Sequence, residues 1–305
     1  MSSPRRNLAA FLDAPKTPFR VAEAPIPKPA PHEVLLRVHA IAINPADHGR
    51  QTLGLYVNTY PWILGVDGAG VIARLGSEIE SDGRLKVGDR VIVQSDEMLN
   101  QKKENAIFQE WATIEGRAVC KIPNDMSFVD GSVLPLGLNT AAGMLFEKET
   151  LGLELPRLAG AARKQVDKVV VVWGGSSSVG CSAIQLASQA GYHVVGIARK
   201  NNFELMKHAG AEATFDYAAK NMVGELCDFV EAKGWESAGI INSVPTKATT
   251  LAGCGEIATR LPGRAFVSTA LPRGVMPEPE MPEGVSASNC ESSNCSCLRK
   301  ILTTN

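Results

Sequence analysis

A run of apolar residues at Lys168–Trp173, KVVVVW, constrains the fold of this chain more than any other feature. A short segment rich in glycine and serine follows it, then an amphipathic helical pattern over Val179–Ala190 and a second apolar run over Tyr192–Ala198. Near-continuous apolar strands are typical of a parallel sheet that helices cover on both faces. The order strand, tight turn, helix, strand therefore predicts a βαβ unit.

Helix and strand patterns alternate on both sides of this unit, which predicts an α/β domain over residues 127–285. Gly137–Glu149 has helical spacing, and Leu153–Gln165 is predicted to be a helical or loop insert. Further helices are predicted near Glu204–Ala209 and Val223–Lys233, and further strands near Ala238–Ile241 and Ala265–Ser268.

The first 126 residues have a different pattern, with short strand signals and few helical ones. Val34–Ala40 alternates imperfectly between apolar and polar residues, Gly65–Ala73 combines glycine with β-branched residues, and Lys86–Val93 places a Gly-Asp turn before a strand. Prolines 25, 27, 29 and 31 indicate an extended connector. Residues 1–126 are therefore predicted to form a compact β-rich domain.

The C-terminal segment lacks any regular pattern. The sequence from Pro272 is rich in proline, and Ser286–Asn305 is polar, rich in cysteine and without a period. Such composition cannot bury enough apolar surface to offset the entropy of ordering. Residues 286–305 are therefore predicted to form an irregular tail.

Composition and charge exclude several classes of partner. Charged residues make up 21% of the chain and the formal net charge is −1, so a nucleic acid or an anionic membrane surface is not the expected partner. The N-terminus lacks the apolar run of a signal peptide, and no stretch reaches the roughly 20 apolar residues of a membrane span. Seven cysteines without a repeated pair spacing indicate reduced thiols, and the expected compartment is the cytoplasm.

The segment between the two apolar runs, WGGSSSVG, matches a dinucleotide-binding loop. Gly175 and Gly180 occupy the first and third glycine positions of GxGxxG, and Ser177 replaces the second. The first glycine permits a tight turn and the third permits close packing of helix and strand, while the Ser177 hydroxyl is expected to donate to a phosphate. The alternative is a Gly/Ser turn that serves the structure alone.

The residues after the second apolar run indicate which nucleotide binds. An NAD-binding unit has an acidic residue here that bonds the ribose 2′-hydroxyl, whereas this chain has Arg199 and Lys200 followed by two asparagines. Two cations without a carboxylate suit the 2′-phosphate of NADPH. The alternative is a pair of ordinary surface charges.

Several further motifs, in the same order and at the same spacing, resemble the medium-chain dehydrogenase/reductase family, and within it the zinc-free quinone reductase and fungal trans-enoyl reductase branch. They are INPADHGRQ (Ile43–Gln51), PWILGVDGAGVI (Pro61–Ile72), KVGDRV (Lys86–Val91), FQEWA (Phe108–Ala112), LPLGLNTAAGMLF (Leu134–Phe146), AIQLASQAGYHVV (Ala183–Val195) and GAEATFDY (Gly210–Tyr217). The resemblance implies a Rossmann doubly wound parallel sheet preceded by a GroES-like β-barrel that carries the substrate cleft.

The resemblance also implies roles for individual residues. Asn44, Pro45, Ala46 and Asp47 would line the nicotinamide end of the cleft, and Asn44 and Asp47 would be catalytic, with Tyr56 as a candidate proton donor. The cofactor-binding residues implied in the second domain are Gly175, Ser176, Ser177, Ser178, Val179, Gly180, Arg199, Lys200, Asn202 and Tyr217. Leu138, Asn139 and Thr140 would border the substrate, or would only form the first turn of a helix.

Zinc is not expected. Zinc-dependent members of the family have a cysteine where this chain has Asn44–Asp47, and Gly-His-Glu where it has Gly65-Val66-Asp67. Thiolate and imidazole ligands are therefore missing from both places, and His48 is expected to lie in the cleft or on the surface. Family members also continue beyond the proline-rich segment with a helix and strand that return to the barrel, and Ser286–Asn305 resembles none of that segment.

The sequence thus predicts an NADPH-dependent oxidoreductase that reduces a conjugated C=C bond or a quinone of a small molecule, in fungal polyketide or other secondary metabolism. Without a Lewis-acid metal, reduction of a conjugated system is easier than reduction of an isolated ketone, because the charge spreads into an enolate. Two alternatives remain: a metal-free alcohol or carbonyl dehydrogenase, and a non-catalytic nucleotide-binding protein. A monomer or homodimer is expected.

Overall fold

The computed structural model describes residues 6–156, 165–245, 248–272 and 280–290. It divides the chain into two compact units, Met1–Leu136 and Gly137–Asn305. The strands of the first unit are β1 (Asn7–Leu12), β2 (Arg20–Ala24), β3 (Glu33–Ala42), β4 (Trp62–Ile63), β5 (Asp67–Leu75), β6 (Arg90–Gln94), β7 (Trp111–Glu115) and β8 (Val119–Lys121). Its helices are α1 (Pro45–Leu53), α2 (Ser77–Asp82), α3 (Glu97–Asn100) and α4 (Phe128–Ser132).

The strands of the first unit form two antiparallel sheets, in the orders β2-β1-β4 and β7-β3-β5-β6-β8. Leu36, Ile72 and Val91 come from three adjacent strands of the larger sheet and are fully buried in one apolar core. Gly70 of β5 pairs with Val38 of β3 beside an irregularity in the register, and a Cβ there would stand 2.1 Å from the Arg37 carbonyl oxygen. The predicted β-rich character is confirmed.

Helix α1 is the main element of this unit that the sequence patterns did not predict. Its first turn contains a local signal nevertheless, since Asn44 precedes Pro45 and Asp47 occupies the third helical position. Asparagine is favoured before a helix, proline at its first position, and an acidic residue in its first turn. The apolar periodicity that predicts longer helices is weak over so short a segment.

The division between the units lies after Leu136, whereas the predicted boundary lies after residue 126. The difference arises because α4 packs against β3, β5 and β6 of the first unit. Ser127 caps α4 by accepting a hydrogen bond from the Asp130 amide at 3.0 Å. The segment that changes character in sequence is thus still part of the first unit.

The second unit contains one parallel sheet of six strands in the order β11-β10-β9-β12-β13-β14. These strands are β9 (Lys168–Trp173), β10 (His193–Ala198), β11 (Ala213–Asp216), β12 (Glu236–Asn242), β13 (Phe266–Pro272) and β14 (Ser286–Cys290). The helices are α5 (Pro135–Phe146), which begins just before the division, α6 (Ser178–Gln189), α7 (Phe203–Ala209), α8 (Met222–Ala232) and α9 (Ala248–Arg260).

Strand β9 is buried on both faces, as its continuous apolar run predicted. Val170 and Val172 belong to one apolar cluster, while Val169 and Val171 belong to another. Alternate residues of a strand point to opposite faces of the sheet, so the two clusters are two separate layers. The predicted α/β fold with a doubly wound parallel sheet is confirmed.

Strand β14 corrects the prediction that the whole segment 286–305 is irregular. Ser286–Cys290 pairs in parallel with β13, and Asn289 and Cys290 are fully buried. Thr269 Oγ1 donates to Asn289 Oδ1 at 2.6 Å. Backbone pairing and a buried polar bond stabilise this strand, and neither leaves an apolar period in the sequence. Residues 291–305 lie outside the described part of the chain, as do residues 157–164 of the predicted insert and residues 273–279 of the proline-rich segment.

Candidate functional site

The loop between β9 and α6 turns at a different glycine from the one that the motif indicated. Gly174 has a φ of 81°, and a Cβ there would stand 2.6 Å from Ser243 Oγ, so Gly174 makes the tight turn assigned to Gly175. Gly175 instead leaves room for the sulfur of Met206. A Cβ on Gly180 would stand 2.2 Å from the Gly174 carbonyl oxygen. The close approach of α6 to the loop therefore requires glycine at position 180, as predicted.

Ser177 stabilises this loop from within. Its amide donates to the Gly174 carbonyl at 2.9 Å, and its Oγ accepts from the Gly180 amide at 3.0 Å as the cap of α6. Ser243 Oγ lies 3.0 Å from Ser177 Oγ and donates to the Trp173 carbonyl at 2.8 Å. If Ser243 gives its one hydrogen to the Trp173 carbonyl, the hydrogen between the two hydroxyls comes from Ser177. The donation from the Ser177 hydroxyl to a phosphate stays a prediction.

The other residues of the loop differ in exposure, and Val179 packs against the apolar cluster that includes Ala183 and Ile184. Ser178 is exposed, and Ser176 and Val179 are half-buried. Ser178 and Val179 are the first two residues of α6, so their amides have no carbonyl acceptor within the helix. Such amides, together with the positive end of the helix dipole, form a site for an anion.

Arg199 and Tyr217 come together at the ends of two neighbouring strands. The parallel register pairs Ala198 of β10 with Asp216 of β11, so the residues that follow each strand are adjacent. Arg199 Nε donates to Tyr217 Oη at 3.1 Å, and its guanidinium carbon lies 4.9 Å from the ring centroid. Lys200 is exposed beside them, and Asn202 is half-buried at the end of a short 3₁₀ turn.

The three residues predicted to border a substrate lie on α5. Thr140 is buried, and its carbonyl accepts a hydrogen bond from the Cys290 thiol at 3.6 Å. Leu138 and Asn139 are half-buried. This placement is compatible both with a substrate-bordering role and with an ordinary first half of a helix.

In the first unit, Asn44 joins two buried carboxyl groups. Its backbone amide donates to Asp47 Oδ2 at 2.9 Å, and its side-chain Nδ2 donates to Asp67 Oδ2 at 3.2 Å. Asp47 is 3% exposed and Asp67 is fully buried. Both oxygens of Asp67 also accept from the Leu136 amide, at 3.0 and 3.1 Å. Asp67 therefore belongs to the group around Asn44, although the sequence marked it only as a missing zinc ligand.

The environment of the two carboxyl groups favours their neutral forms. Burial raises the pKa of Asp67 to about 7, against the lowering effects of the Leu136 amide and the Asn44 side chain, and the neighbouring charge of Asp47 raises it further. Burial likewise raises the pKa of Asp47 to about 6, although the Asn44 amide and the Arg50 charge lower it. Both groups therefore change charge near neutral pH.

A buried ion pair connects α1, which carries Asp47, to α3. Arg50 and Glu97, whose side chains are 1% and 0% exposed, form a two-pronged pair in which Nη2 lies 2.8 Å from Oε2. The indole nitrogen of Trp62 donates to the same Oε2 at 3.1 Å. Burial raises the pKa of Glu97 while the bond from Arg50 lowers it. Arg50 and Asp47 are three residues apart on α1, so the ion pair fixes the helix that presents Asp47.

In the first turn of α1, Pro45 is exposed and Ala46 is half-buried. Tyr56 follows the helix in a left-handed conformation, with φ of 55°, and its carbonyl accepts from Gln101 Nε2 at 3.1 Å. Its role as a proton donor stays a prediction.

His48 is exposed. In the described part of the chain, no three His, Cys, Asp or Glu side chains are grouped so that they could bind a metal ion.

The architecture defines a protein with a GroES-like unit and a Rossmann-type unit. The profile of the "Alcohol dehydrogenase GroES-like domain" matches residues 30–132. A solved structure of an alcohol dehydrogenase superfamily protein from Novosphingobium aromaticivorans superposes with a TM-score of 0.72 at 21% identity, covering 93% of this chain and 78% of that one. None of the described helices is long and apolar enough to cross a bilayer.

Two curated relatives extend the likeness over most of the chain. The dehydrogenase pigH of Monascus ruber is 37% identical over 272 residues, which are 87% of this chain and 70% of pigH. The trans-enoyl reductase himH of Aspergillus japonicus is 36% identical over 245 residues, which are 80% of this chain and 68% of himH. The chain therefore belongs to the medium-chain dehydrogenase/reductase family, whose members are oxidoreductases.

Proposed function

We propose that this protein is an NADPH-dependent reductase of a conjugated C=C bond or a quinone in a small molecule, in a fungal secondary-metabolite pathway. The name of the relative himH, a trans-enoyl reductase, supports the reaction class. The pairing of Arg199 with Tyr217 beside Lys200 is the single observation that supports NADPH.

The residues of the second unit fit a dinucleotide. Glycine at positions 174 and 180 lets the loop turn tightly and lets α6 approach it closely, since a Cβ would stand 2.6 Å from Ser243 Oγ and 2.2 Å from the Gly174 carbonyl oxygen. The amides of Ser178 and Val179 would bind the pyrophosphate at the start of α6. Gly175, Ser176, Ser177 and Gly180 would contribute by shaping the loop.

The end of β10 fits the additional phosphate of NADPH. Arg199 uses Nε for Tyr217, which leaves the two terminal nitrogens of its guanidinium to bind a phosphate in a forked arrangement. Stacking on Tyr217 holds the guanidinium plane in place. Lys200 would add a second charge, and Asn202 would bond a ribose or phosphate oxygen.

NADPH, when bound, supplies the hydride for the β-carbon of the conjugated substrate. As the family resemblance implies, Pro45 and Ala46 would line the nicotinamide end of the cleft, and Leu138, Asn139 and Thr140 would border the substrate. Charge develops on the substrate oxygen, and a hydrogen bond from Asn44 Nδ2 would stabilise it. Tyr56 or water would deliver the proton to the α-carbon, and Asp47 would keep Asn44 at the start of α1 through the bond to its amide.

A fluorescence titration with NADPH and NADH tests the nucleotide part of the proposal. The double variant Arg199→Asp with Lys200→Asp should weaken NADPH binding about 100-fold, because it replaces two charge-assisted bonds with repulsion, and should leave NADH binding within about threefold. Lys168→Asp reverses an exposed charge at the N-terminal end of the neighbouring strand β9, whereas Arg199 follows the C-terminal end of β10, and it serves as the control. Equal binding of both nucleotides to the wild type would contradict the NADPH assignment.

A substrate panel tests the reaction. Oxidation of NADPH should occur with a conjugated enone or a quinone and should be at least about tenfold slower with an unconjugated ketone, since only a conjugated system spreads the developing charge. Preference for the unconjugated ketone would indicate a carbonyl dehydrogenase. Tight nucleotide binding without turnover of any acceptor would indicate a non-catalytic binding protein.

A further inference from the structure

Among the described residues, the Asp67 carboxyl group only accepts hydrogen bonds, and its donors are N–H groups. The Leu136 amide donates to both oxygens, and Asn44 Nδ2 donates to Oδ2. Within the described residues, no ion pair includes Asp67. A fully buried carboxylate without a cation satisfies these donors, but it bears the cost of burial.

A proton on Asp67 would change this arrangement. A hydrogen on Oδ2 would point at the N–H of Asn44, so two donors would face each other. A half-turn of the Asn44 carboxamide removes the conflict, because its Oδ1 then accepts from Asp67. Nδ2 then turns away from Asp67. Asn44 is half-buried, so the outer end of its side chain can meet a ligand.

We propose that Asp67 is a positioning residue whose protonation decides whether the side-chain nitrogen of Asn44 donates to Asp67 or to the substrate. The inference rests on the proposed function, in which Asn44 bonds the substrate oxygen. Neutral Asp67 turns the donor outward, where it stabilises the developing negative charge. Ionised Asp67 holds the donor inward through the bond from Nδ2 to Oδ2, so this donor does not meet that charge.

Burial and the neighbouring charges bring the protonation of Asp67 into the neutral pH range. Burial raises the pKa of Asp67 to about 7, and Asp47 is the charged group that acts on it. Arg50 and Glu97 act in turn on Asp47, the first lowering and the second raising its pKa. Both protonation states of Asp67 are therefore populated near neutral pH, and the activity should fall as pH rises.

The variant Asp67→Asn tests the inference directly, because its uncharged carboxamide imitates the protonated carboxyl group of Asp67. Its amide nitrogen donates to Asn44 Oδ1, while its oxygen still accepts from Leu136. Wild-type kcat for enone reduction should fall about tenfold between pH values of about 6 and 8.5, which corresponds to the loss of one charge-stabilising hydrogen bond. Asp67→Asn should keep its activity across this range and exceed the wild type at the alkaline end. A variant that is merely damaged cannot show such a gain.

Two further variants separate positioning from other effects. In an Asn44→Ala background, Asp67→Asn should change the pH profile of kcat by less than about twofold, since the residue through which Asp67 acts is gone. Asp13→Asn, which removes an exposed carboxylate paired with Arg20, should keep the wild-type profile. Identical pH profiles for the wild type and Asp67→Asn would overturn the inference, as would a full Asp67 effect without Asn44.

A second readout needs neither nucleotide nor turnover. In ¹⁵N-labelled protein, the side-chain amide resonances of Asn44, identified by their loss in Asn44→Ala, should move with a midpoint near the pKa of about 7 for Asp67. They should not move in Asp67→Asn. Resonances that stay constant in the wild type would overturn the inference. If the wild type reduces no acceptor, the proposed function fails, and this titration still decides the role of Asp67.

Discussion

The two units place their polar groups in opposite ways. The first buries Asn44's partners Asp47 and Asp67 together with the pair Arg50–Glu97. The second leaves Arg199 and Lys200 exposed beyond the end of a strand. A buried charge depends strongly on its partners for stability, whereas an exposed charge does not. We therefore expect variants of the first group to alter folding and pH dependence, and variants of the second to alter binding alone.

Removal of one partner from the buried ion pair should have the largest effect. Glu97→Gln leaves Arg50 buried without a counter-charge and should lower the free energy of unfolding by about 3–5 kcal/mol. Urea unfolding followed by circular dichroism measures this loss. Arg20→Gln, which breaks an exposed pair with Asp13, is the matched control and should change the stability far less. Equal effects of the two variants would show that burial does not distinguish these pairs.

The pH dependence of stability should be next in size. The pKa of Asp47 rises from 3.8 to about 6 on folding, so the folded protein binds more protons than the unfolded chain between these values. Stability from this group is therefore fully present below the unfolded value and is lost as pH rises through about 6. Asp47→Asn should remove that loss, so its stability relative to the wild type should increase by about 3 kcal/mol from acidic to neutral pH.

Urea unfolding at several pH values between about 3 and 8 checks this prediction, since the difference between the two proteins cancels the titration of the groups that do not interact with Asp47. Asp13→Asn, at an exposed position, should show no such rising difference. A difference that stays constant with pH would mean that Asp47 is ionised at little cost in the folded protein.

The smallest effect is expected at Ser177, the internal residue of the nucleotide loop. Ser177→Ala removes the cap of α6 and should lower the free energy of unfolding by about 1 kcal/mol. NADPH binding should weaken by less than about threefold, because the hydroxyl bonds Gly180 and Ser243. Ser182→Ala, which removes an exposed hydroxyl on the same helix, is the control. A large loss of affinity without a loss of stability would support Ser177 as a phosphate donor.

The parallel unit was predictable because its signals are local and repeated. Strand β9 has the predicted bounds, Lys168–Trp173, and helix α6 begins and ends one residue earlier than predicted. A strand buried on both faces must be apolar throughout, which makes it visible in sequence. Strand β14 was not visible, since backbone pairing with β13 and the bond between Thr269 and Asn289 place polar residues in a sheet.

For the site residues too, the sequence predicted what local motifs mark and did not predict contacts between residues far apart in the chain. The loop motif located Gly180 correctly but assigned the turn to Gly175, because two adjacent glycines are equivalent until the positions of Ser243 and Met206 are known. The family resemblance indicated Asn44 and Asp47, yet Asp67 stood out only as the residue that replaces a glutamate. Its contact with Asn44 spans 23 positions of the chain and has no local signal.

The amino-acid sequence by itself determined the βαβ unit, the cationic end of β10 and the glycine loop, because each depends on side chains within a few positions of one another. Only the tertiary structure decided which buried carboxyl group meets Asn44, which partner Arg199 stacks on, and how Glu97 reaches Arg50. Those contacts join residues distant along the chain, and their energies depend on burial, which exists only once the strands and helices have packed together.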